Sequence, residues 1–338
     1  MNNPAILGID VSKDKLDCAL LVGPAVHRKT IGNDSEGFAD LDAWLRALRI
    51  QNLHACLEAT GRYGLAISTH LLQAGRVVSV VNPALVQAHG RSRLRRNKTD
   101  QADALLIADF CREKQPRPWA APSQKQRQLQ ELTRLYQERK HDLAREKNRL
   151  ASAPQSAPAR RLQQKHLRQL EKQIQEIQEA IQKTIASDPA MQRDCRHLES
   201  IDGIGRITAA IILGELWFYQ QLENARAAAA YAGLTPAQRQ SGSALKGSSL
   251  CRAGNKRLRR ALYFPALTAL RCNPLIQQKA ARWTLAGKRP MQIVAAAMHH
   301  LLRLAYGVLK NQAPFDPDWK SVSAAKKKAQ ENLKEDKA

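Results

Sequence analysis

The chain has 338 residues, which is long enough for two or three domains with hydrophobic cores. Its formal net charge of +24 and its pI of about 10.2 predict a polyanionic partner, either nucleic acid or an anionic membrane surface. Nucleic acid is favoured, because no apolar run approaches the ~20 residues that cross a bilayer and no signal peptide is recognisable at the start. The six cysteines are scattered without a CxxC pair, which disfavours disulfides and zinc and predicts reduced thiols in the cytoplasm.

The first 118 residues alternate between strand-like and helix-like patterns. The predicted order is three strands, helix, strand, helix, strand and helix, with the strands at 6–10, 16–22, 27–31, 55–58 and 76–81. A very basic loop precedes the last helix, which begins near Asp100. This order predicts an α/β domain with some parallel strand pairing.

Four acids in this domain form a candidate metal site. Asp10 and Glu58 lie at the carboxyl ends of predicted strands, and Asp100 and Asp103 are three residues apart, so they share one face of a helix. In a ribonuclease-H-like fold, the first strand runs beside a later strand and a closing helix passes over their ends. That arrangement would bring all four carboxylates to one or two Mg²⁺ ions, which polarise a phosphodiester.

Each acid also has an ordinary structural explanation. Asp10 is able to cap the turn after its strand, and Asp100 and Asp103 are able to act as the N-cap and first-turn acid of a helix. Glu58 is the hardest to explain in this way, because it closes an apolar strand where an unpaired charge is costly.

Residues 119–188 are predicted to form a helical hairpin. Two series of apolar residues recur at spacings of three and four, and the turn ASAPQSAP separates them. The series are Leu129, Leu132, Tyr136, Leu143 and Leu150, and then Leu167, Leu170, Ile174, Ile177, Ile181 and Thr184. An antiparallel coiled-coil hairpin with these faces either stays an intramolecular pair or, as we favour, pairs with a second copy.

Residues 189–316 are predicted to form a mostly helical domain, followed by a basic disordered tail at 317–338. The turn at 201–205 resembles a helix–hairpin–helix turn, in which Gly203 and Gly205 let backbone N–H groups approach a phosphate. Between Glu223 and Asp316 the chain has no Asp or Glu, which indicates a partner rich in phosphate.

A Gly-punctuated serine loop at 233–260 lies within this acid-free segment. It offers a hydroxyl nucleophile and cationic side chains but no hard oxygen ligands, so any carboxylates must come from elsewhere in the chain or from another copy. The predicted nucleic-acid-binding residues are Arg91, Arg93, Arg95, Arg96, Lys98, Gly203, Gly205, Arg239, Lys246, Arg252, Lys256, Arg257, Arg259 and Arg260.

Seven motifs occur along the chain in the order GIDVSKDKLD, CLEATGRYG, VNPALVQAHG, RNKTDQADA, ESIDGIGRITAA, YAGLTPAQRQSGS and AGNKRLRRALY. They closely resemble transposases of insertion sequence family 110, over nearly the whole chain. The resemblance implies a DEDD-type ribonuclease-H-like domain related to Holliday-junction resolvases, a helical linker and a carboxyl-terminal transposase domain, which is an α/β plus all-α architecture. Asp10, Glu58, Asp100 and Asp103 fall on the family's Mg²⁺-binding acids, and Ser241 falls on its catalytic serine.

The resemblance also implies a mechanism and partners. Ser241 would attack a DNA phosphodiester and form a 5′- or 3′-phosphoserine link, and a structured non-coding bridge RNA would pair with donor and target DNA. The chain shows no zinc finger, basic zipper or recognition helix, which agrees with sequence reading by base pairing. The expected assembly is a homodimer or homotetramer on the nucleoid, with the carboxylates of one protomer meeting Ser241 of another.

Three other interpretations remain open at the level of sequence. A Holliday-junction-type endonuclease using water accounts for the acids and the charge, but it leaves the serine loop without a role. A site-specific DNA invertase of the same family would use the same residues. A non-catalytic RNA-binding or chromosome-architectural protein accounts for the charge alone, and convergent acids would weaken its binding.

Overall fold

The computed structural model describes residues 4–59, 63–92, 100–152, 156–241, 245–251 and 253–318, and it describes only the backbone of residues 100, 101, 237–241 and 245–249. The chain divides into two compact units, Met1–Ala121 and Pro122–Ala338, which we call the amino-terminal and carboxyl-terminal units. In the described part of the chain, no helix combines the length and apolar character that spanning a bilayer requires.

A five-stranded mixed sheet forms the centre of the amino-terminal unit. Its strands are β1 (Ala5–Val11), β2 (Lys15–Val22), β3 (Ala25–Gly32), β4 (Leu53–Glu58) and β5 (Val77–Val81), in the order β3-β2-β1-β4-β5. β1 is antiparallel to β2 and parallel to β4, and β4 is parallel to β5. The first strand therefore runs beside a later parallel strand, as the ribonuclease-H-like prediction requires.

Helices cover both faces of this sheet. They are α1 (Ser35–Ala47), α2 (Gly64–Gln73), α3 (Pro83–Ser92) and α4 (Asp100–Lys114). Because side chains alternate along a strand, Leu7 and Ile9 of β1 pack with α1 and α2, while Ile6 packs with α3 and α4. The helix that begins at Asp100 is thus held against the sheet by its own hydrophobic cluster.

Helix α3 is missing from the sequence prediction, which treats Asn82 and Pro83 only as the end of a strand. In the structure Pro83 is the first helical residue, and Asn82 Oδ1 accepts a hydrogen bond from Ala84 N at 3.0 Å. Proline is tolerated there because the first N–H groups of a helix have no intrahelical partner. Arg91, which was predicted to lie in a basic loop, is in the last turn of α3.

The carboxyl-terminal unit is mostly helical. Its helices are α5 (Gln124–Ser152), α6 (Ala157–Ala186), α7 (Pro189–Glu199), α8 (Arg206–Glu215), α9 (Ala225–Tyr231), α10 (Lys256–Ala261), α11 (Tyr263–Cys272), α12 (Pro274–Leu285) and α13 (Pro290–Asn311). Leu129 of α5 and Ile181 of α6 share one hydrophobic core with Leu198, Leu258 and Leu301. A single core therefore extends across residue 188, where the sequence predicts a domain boundary.

Helices α5 and α6 lie antiparallel to each other. Lys147 Nζ is 3.0 Å from Glu171 Oε1, and Lys125 near the start of α5 donates to the carbonyl of Ser187 just beyond the end of α6. A coiled-coil geometry and dimerisation through this pair stay predictions.

The predicted serine loop contains a two-stranded antiparallel hairpin, β6 (Pro236–Ser241) and β7 (Leu245–Leu250), which we call the serine hairpin. Ser241 pairs with Leu245, and Arg239 pairs with Gly247. Gly and Ser have low strand propensity, so the side chains predict a loop, whereas the strands form through backbone pairing that does not depend on side-chain type. Ser243 lies outside the described residues.

Candidate functional site

Two acids lie at the carboxyl ends of adjacent parallel strands in the amino-terminal unit. Ile9 of β1 pairs with Leu57 of β4, so the residues that follow them, Asp10 and Glu58, are neighbours at the same edge of the sheet. Both are half-buried. Open α/β sheets bind ligands at this kind of edge.

Helix α4 passes very close to β1. A Cβ atom on Gly8 would lie 2.1 Å from Ala104 O and 2.4 Å from Ala108 N, so a larger residue at position 8 would push the helix away. The contact holds the first half of α4 against the strand that carries Asp10. Asp103, which precedes Ala104, is half-buried there.

The electrostatics of Glu58 show that these acids interact. The pKa of Glu58 is raised above its ordinary value, first by burial and then by the negative charges of Asp10 and Asp103. Asp100 begins α4, but its side chain is not described. Among the side chains that the structure describes, no three from His, Cys, Asp and Glu are arranged to hold a metal ion.

The interacting carboxylates have the chemistry that a hard divalent cation requires. Each supplies oxygen ligands of the kind that Mg²⁺ prefers. Their mutual repulsion, visible in the raised pKa of Glu58, is relieved when a cation binds between them. The oxygen donors of Asp10, Glu58 and Asp103 therefore suit Mg²⁺ chemically, although their described side chains do not stand in ligand geometry. Asp100, whose side chain is not described, lies on the same helix as Asp103.

Two buried cysteines join α4 to β4, and the sequence analysis did not single them out. A hydrogen bond with Cys56 of β4 lowers the pKa of Cys111 of α4 to about 6, and the same contact together with burial raises the pKa of Cys56. His54 also hydrogen-bonds Cys111. Cys56 opens the motif CLEATGRYG, but nothing in the sequence pairs it with Cys111 or His54. Sequence alone therefore offers no signal for a contact that ties the helix of Asp103 to the strand of Glu58.

Ser241 is the last residue of β6, and residues 242–244, which follow it in the sequence, are not described. Its backbone pairs with Leu245, and the neighbouring pair is Gln240 with Lys246. The side chains of Ser241, Arg239 and Lys246 are not described. The backbone alone therefore shows the predicted nucleophile at the last paired position of β6, one register position from Lys246.

Two glycines form the base of the serine hairpin. Gly233 has φ +66° and Gly254 has φ +154°, conformations that L side chains rarely adopt. A Cβ atom on Gly254 would lie 2.5 Å from Gly233 N, so the chain that enters the hairpin touches the chain that leaves it. Cys251 N also donates to Thr235 O at 2.8 Å. The base is therefore closed by backbone contacts.

A buried polar network supports this base. Glu215 of α8 is only 1% exposed and accepts hydrogen bonds from Arg134 Nε at 2.7 Å, Arg134 Nη2 at 3.0 Å and Asn255 Nδ2 at 2.7 Å. Asn255 Oδ1 accepts from Leu258 N and so caps α10, while Asn255 N donates to Tyr231 O. The network links four helices around the residue that follows Gly254. Glu215 in the apolar sequence of α8 was a signal for it that sequence reasoning missed.

Two predicted cationic contacts are engaged within the carboxyl-terminal unit. Arg259 Nη1 donates to Ala232 O at 2.9 Å, and Arg257 Nη2 is 3.3 Å from Glu138 Oε1. These two side chains therefore hold α10 in place as well as carrying positive charge.

The other predicted cations fall into three groups. Arg91, Lys256 and Arg260 are exposed. Arg239 and Lys246 are described by their backbone alone. Outside the described residues lie Arg93, Arg95, Arg96, Lys98 and Arg252.

The two glycines of the turn before α8 have different environments. Gly203 has φ +103°, and a Cβ atom there would lie 2.8 Å from Ala269 Cβ of α11, so this glycine is required by backbone conformation and packing. Gly205 is exposed at the N-terminus of α8, and a Cβ atom there would meet nothing within 4 Å. Of the two, Gly205 has the open surroundings that an approaching phosphate would need.

Two family models match the chain. One, described as "Transposase" and labelled DEDD and IS110, matches residues 7–157. The other, described as "Transposase IS116/IS110/IS902 family", matches residues 195–281. The first range contains the four predicted metal ligands, and the second contains Ser241.

Individual proteins are similar over most or part of the chain. "Pilin gene-inverting protein" of Moraxella bovis is 30% identical over 314 residues, which is 92% of this chain and 97% of that protein. "Insertion element IS110 uncharacterized 43.6 kDa protein" of Streptomyces coelicolor is 27% identical over 114 residues, which is 34% of this chain and 28% of that protein. The solved structure "T. thermophilus RuvC in complex with Holliday junction substrate" matches 35% of this chain and 100% of its own at 14% identity, and its TM-score of 0.28 is too low to carry an argument.

Proposed function

Because this chain belongs to the IS110 family of transposases, we propose that it cuts and rejoins donor and target DNA through a phosphoserine intermediate at Ser241. Membership of the family makes it a DNA-cleaving, DNA-recombining enzyme. The observation that supports the finer proposal is the interaction of Asp10, Glu58 and Asp103 at one edge of the sheet. A carboxylate cluster and a hydroxyl nucleophile are the two kinds of group that this reaction needs.

In the proposed step, Ser241 Oγ attacks a phosphorus atom of the DNA backbone, and the bond from phosphorus to one bridging sugar oxygen breaks. The hydroxyl proton leaves Oγ, and the released sugar oxygen ends as a hydroxyl group. The phosphoserine ester conserves the energy of the broken ester, so the hydroxyl of another strand is able to displace Ser241 without ATP.

The carboxylates and the cations have separate roles in this proposal. The four acids would hold Mg²⁺, which when bound supplies Lewis-acid stabilisation of charge on the phosphodiester. Arg239, two residues before Ser241 and therefore at a position on the same face of the hairpin, would neutralise the nonbridging oxygens. Lys246, proposed for the same role, pairs with Gln240 at a position on the opposite face, so its contribution would be positive charge near the phosphate rather than a direct contact. Glu215 and Asn255 would hold the hairpin base and touch no substrate.

A structured non-coding RNA is the proposed guide for choosing DNA sites. The chain has no Asp or Glu from 224 to 315, and Lys256 and Arg260 are exposed there, which supports binding to phosphates. Phosphate contacts position a nucleic acid without reading its sequence, so base pairing would supply the specificity. Ribonuclease treatment of the purified complex should then abolish cleavage at specific sites, and adding back the transcript of the flanking region should restore it.

DNA inversion is the second candidate, and one observation favours it. The relative that shares 30% identity over 97% of its own length is named a pilin gene-inverting protein. A plasmid carrying two inverted copies of the recombination site separates the candidates. Inversion of the intervening segment supports the invertase, whereas integration into a second plasmid supports the transposase.

The decisive test of the mechanism is the covalent adduct between protein and DNA. Labelled substrate should stay attached to the wild-type protein in denaturing gels, and Ser241→Ala should abolish the attachment while DNA binding persists. Ser243→Ala, the matched control two residues further along the sequence, should form the adduct normally. Cleavage by Ser241→Ala without an adduct would instead support a water-using endonuclease.

A further inference from the structure

A row of exposed side chains runs along α10 and α11, just after the serine hairpin. Leu262, the single residue between the two helices, has φ −86° and ψ −7°, so the backbone stays close to helical. The exposed positions recur every three or four residues, as expected for one face of a helix. We call this face the Phe264 stripe, and its members are Arg260, Phe264, Thr268 and Arg271.

Phe264 is presented outward from a rigid support. Its side chain is 73% exposed, although a buried Phe would be strongly stabilising. The adjacent Tyr263 packs against the hydrophobic core, and the two rings meet edge to face with centroids 5.3 Å apart. Thr268 Oγ1 donates to Phe264 O at 3.2 Å. The fold therefore holds an aromatic face in solvent.

The charges around Phe264 identify the kind of partner. Arg260 and Arg271 are exposed on either side of it, and the chain around them has no Asp or Glu from 224 to 315. A second copy meeting this face across a two-fold axis would bring these arginines against the same arginines, and like charges repel. A nucleic acid offers phosphates to the arginines and a flat base to the ring.

Spacing along the helix agrees with a contact of this kind. Intervals of four and seven residues correspond to ~6 Å and ~10 Å along a helix, which exceed the ~3.4 Å axial separation of phosphates on one strand of B-DNA. Arginines at these intervals would therefore be able to contact the phosphates on both sides of a nucleotide whose base meets Phe264. In an intact duplex that base is stacked inside the helix, so the contact requires an unpaired nucleotide.

We propose that Phe264 stacks on an unpaired base of the DNA substrate, while Arg260 and Arg271 bind the phosphates on either side of that nucleotide. The proposal rests on the chain being a DNA recombinase and does not depend on Ser241 being the nucleophile. Strand exchange passes through DNA with unpaired bases, so such a contact would hold the exchanging strand.

Fluorescence anisotropy with short labelled DNAs tests the proposal on the full chain. The probes are a duplex with one unpaired nucleotide, the same duplex with an abasic residue at that position, a fully paired duplex and an RNA with one unpaired nucleotide. Phe264→Ala should weaken binding of the first probe about 10-fold, as expected for the loss of one base–aromatic stack. Phe264→Tyr should bind the first probe as tightly as the wild type does. The wild type and Phe264→Ala should bind the abasic DNA with equal affinity, and likewise the fully paired DNA.

The arginines provide a second, independent measurement. Arg260→Gln should weaken binding of all DNA probes and reduce the dependence of affinity on salt, whereas Phe264→Ala should leave that dependence unchanged. Equal losses on all probes, a loss confined to RNA, or a change in sedimentation mass for Phe264→Ala would overturn the proposal. Adduct formation by Phe264→Ala at saturating DNA reports separately on Ser241.

Discussion

The amino-terminal sheet and the segment 224–315 differ in their content of negatively charged side chains. The sheet and helix α4 together place Asp10, Glu58 and Asp103 close enough to raise the pKa of Glu58, whereas the segment contains no Asp or Glu. Clustered carboxylates repel both one another and DNA, so they are useful only where a cation offsets their charge. The difference agrees with the proposed division of roles, in which the first region would hold a divalent ion and the second would hold phosphates.

The two regions also differ in how they are supported. Helix α4 is pressed against β1 at Gly8, where no side chain fits, while the serine hairpin is held at its base by Gly233, Gly254 and the network of Glu215. Disturbing each support separately shows whether the two regions behave as proposed.

The largest expected effect on stability comes from Glu215→Ala. Removing this carboxylate leaves the Arg134 guanidinium without its bidentate partner and leaves Asn255 Nδ2 with Tyr231 Oη. Breaking a buried pair costs about 3–5 kcal/mol. The lower end is expected, because the Arg134 side chain is 38% exposed. Urea denaturation measures the loss, and Glu138→Ala, which removes an exposed ion pair with Arg257, should cost less than about 1 kcal/mol. Equal losses would show that the network does not support the hairpin base.

Replacing one of the proposed metal ligands comes next. Asp10→Asn or Asp103→Asn should lower the Mg²⁺-dependent cleavage rate by about 100-fold or more, since even outer partners of metal ligands cost 10- to 100-fold. Binding of DNA should persist in both variants. Asp40→Asn, which removes an exposed carboxylate paired with Lys29, is the control and should cleave normally. Undiminished cleavage by Asp103→Asn would show that Asp103 of α4 does not contribute to the metal site.

Gly8→Ala tests the contact between β1 and α4. The added methyl group overlaps Ala104 O and Ala108 N, so the helix must move, and overpacking of this kind costs about 1–3 kcal/mol. Cleavage should fall as well, because Asp103 moves with the helix. Gly307→Ala in α13 is the control, because a Cβ atom added there would meet nothing within 4 Å. This variant should be neutral or slightly more stable than the wild type.

The smallest effect is expected from Glu58→Gln in the metal-free protein. Because the pKa of Glu58 is raised in the folded state, that state keeps a proton that the unfolded chain has already lost, and stability falls as pH rises through this interval. Glu58→Gln removes this loss of stability with rising pH. At pH values above the interval, the variant should unfold at a thermal midpoint higher than that of the wild type by at most about 4 °C. Glu36→Gln, which replaces an exposed glutamate in the first turn of α1, is the control and should not raise the thermal midpoint. A thermal midpoint lower than that of the wild type for Glu58→Gln would contradict the proposed repulsion between Glu58 and the two aspartates.

The sequence predicted the charged parts of this molecule better than its packing. Asp10, Glu58 and Asp103 were found because acids at strand ends and on one helix face are visible in one dimension. The contacts of Gly8 with α4 and of Glu215 with Arg134 and Asn255 join residues far apart in the chain, so periodicity carries no sign of them. The family prediction is confirmed, while the roles of the individual site residues stay proposals.

Local chemistry also misled the sequence reading in two places. Strand β5 ends at Val81, and α3 begins only two residues later at Pro83, because the side chain of Asn82 accepts a hydrogen bond from the first turn of the helix. The strands of the serine hairpin contain no β-branched or aromatic residue, so side-chain propensity gives no sign of them, and their pairing is seen in the backbone.

The central claim is that the carboxylates of the amino-terminal unit and Ser241 serve the same strand-cleavage step. Its most direct test is the rate of adduct formation on DNA with sulfur in place of one nonbridging oxygen of the scissile phosphate. Sulfur should slow the adduct in Mg²⁺, Mn²⁺ should restore the rate, and Asp103→Asn should abolish the restoration. Adduct formation at one rate for oxygen and sulfur, or undiminished formation in EDTA, would contradict the claim.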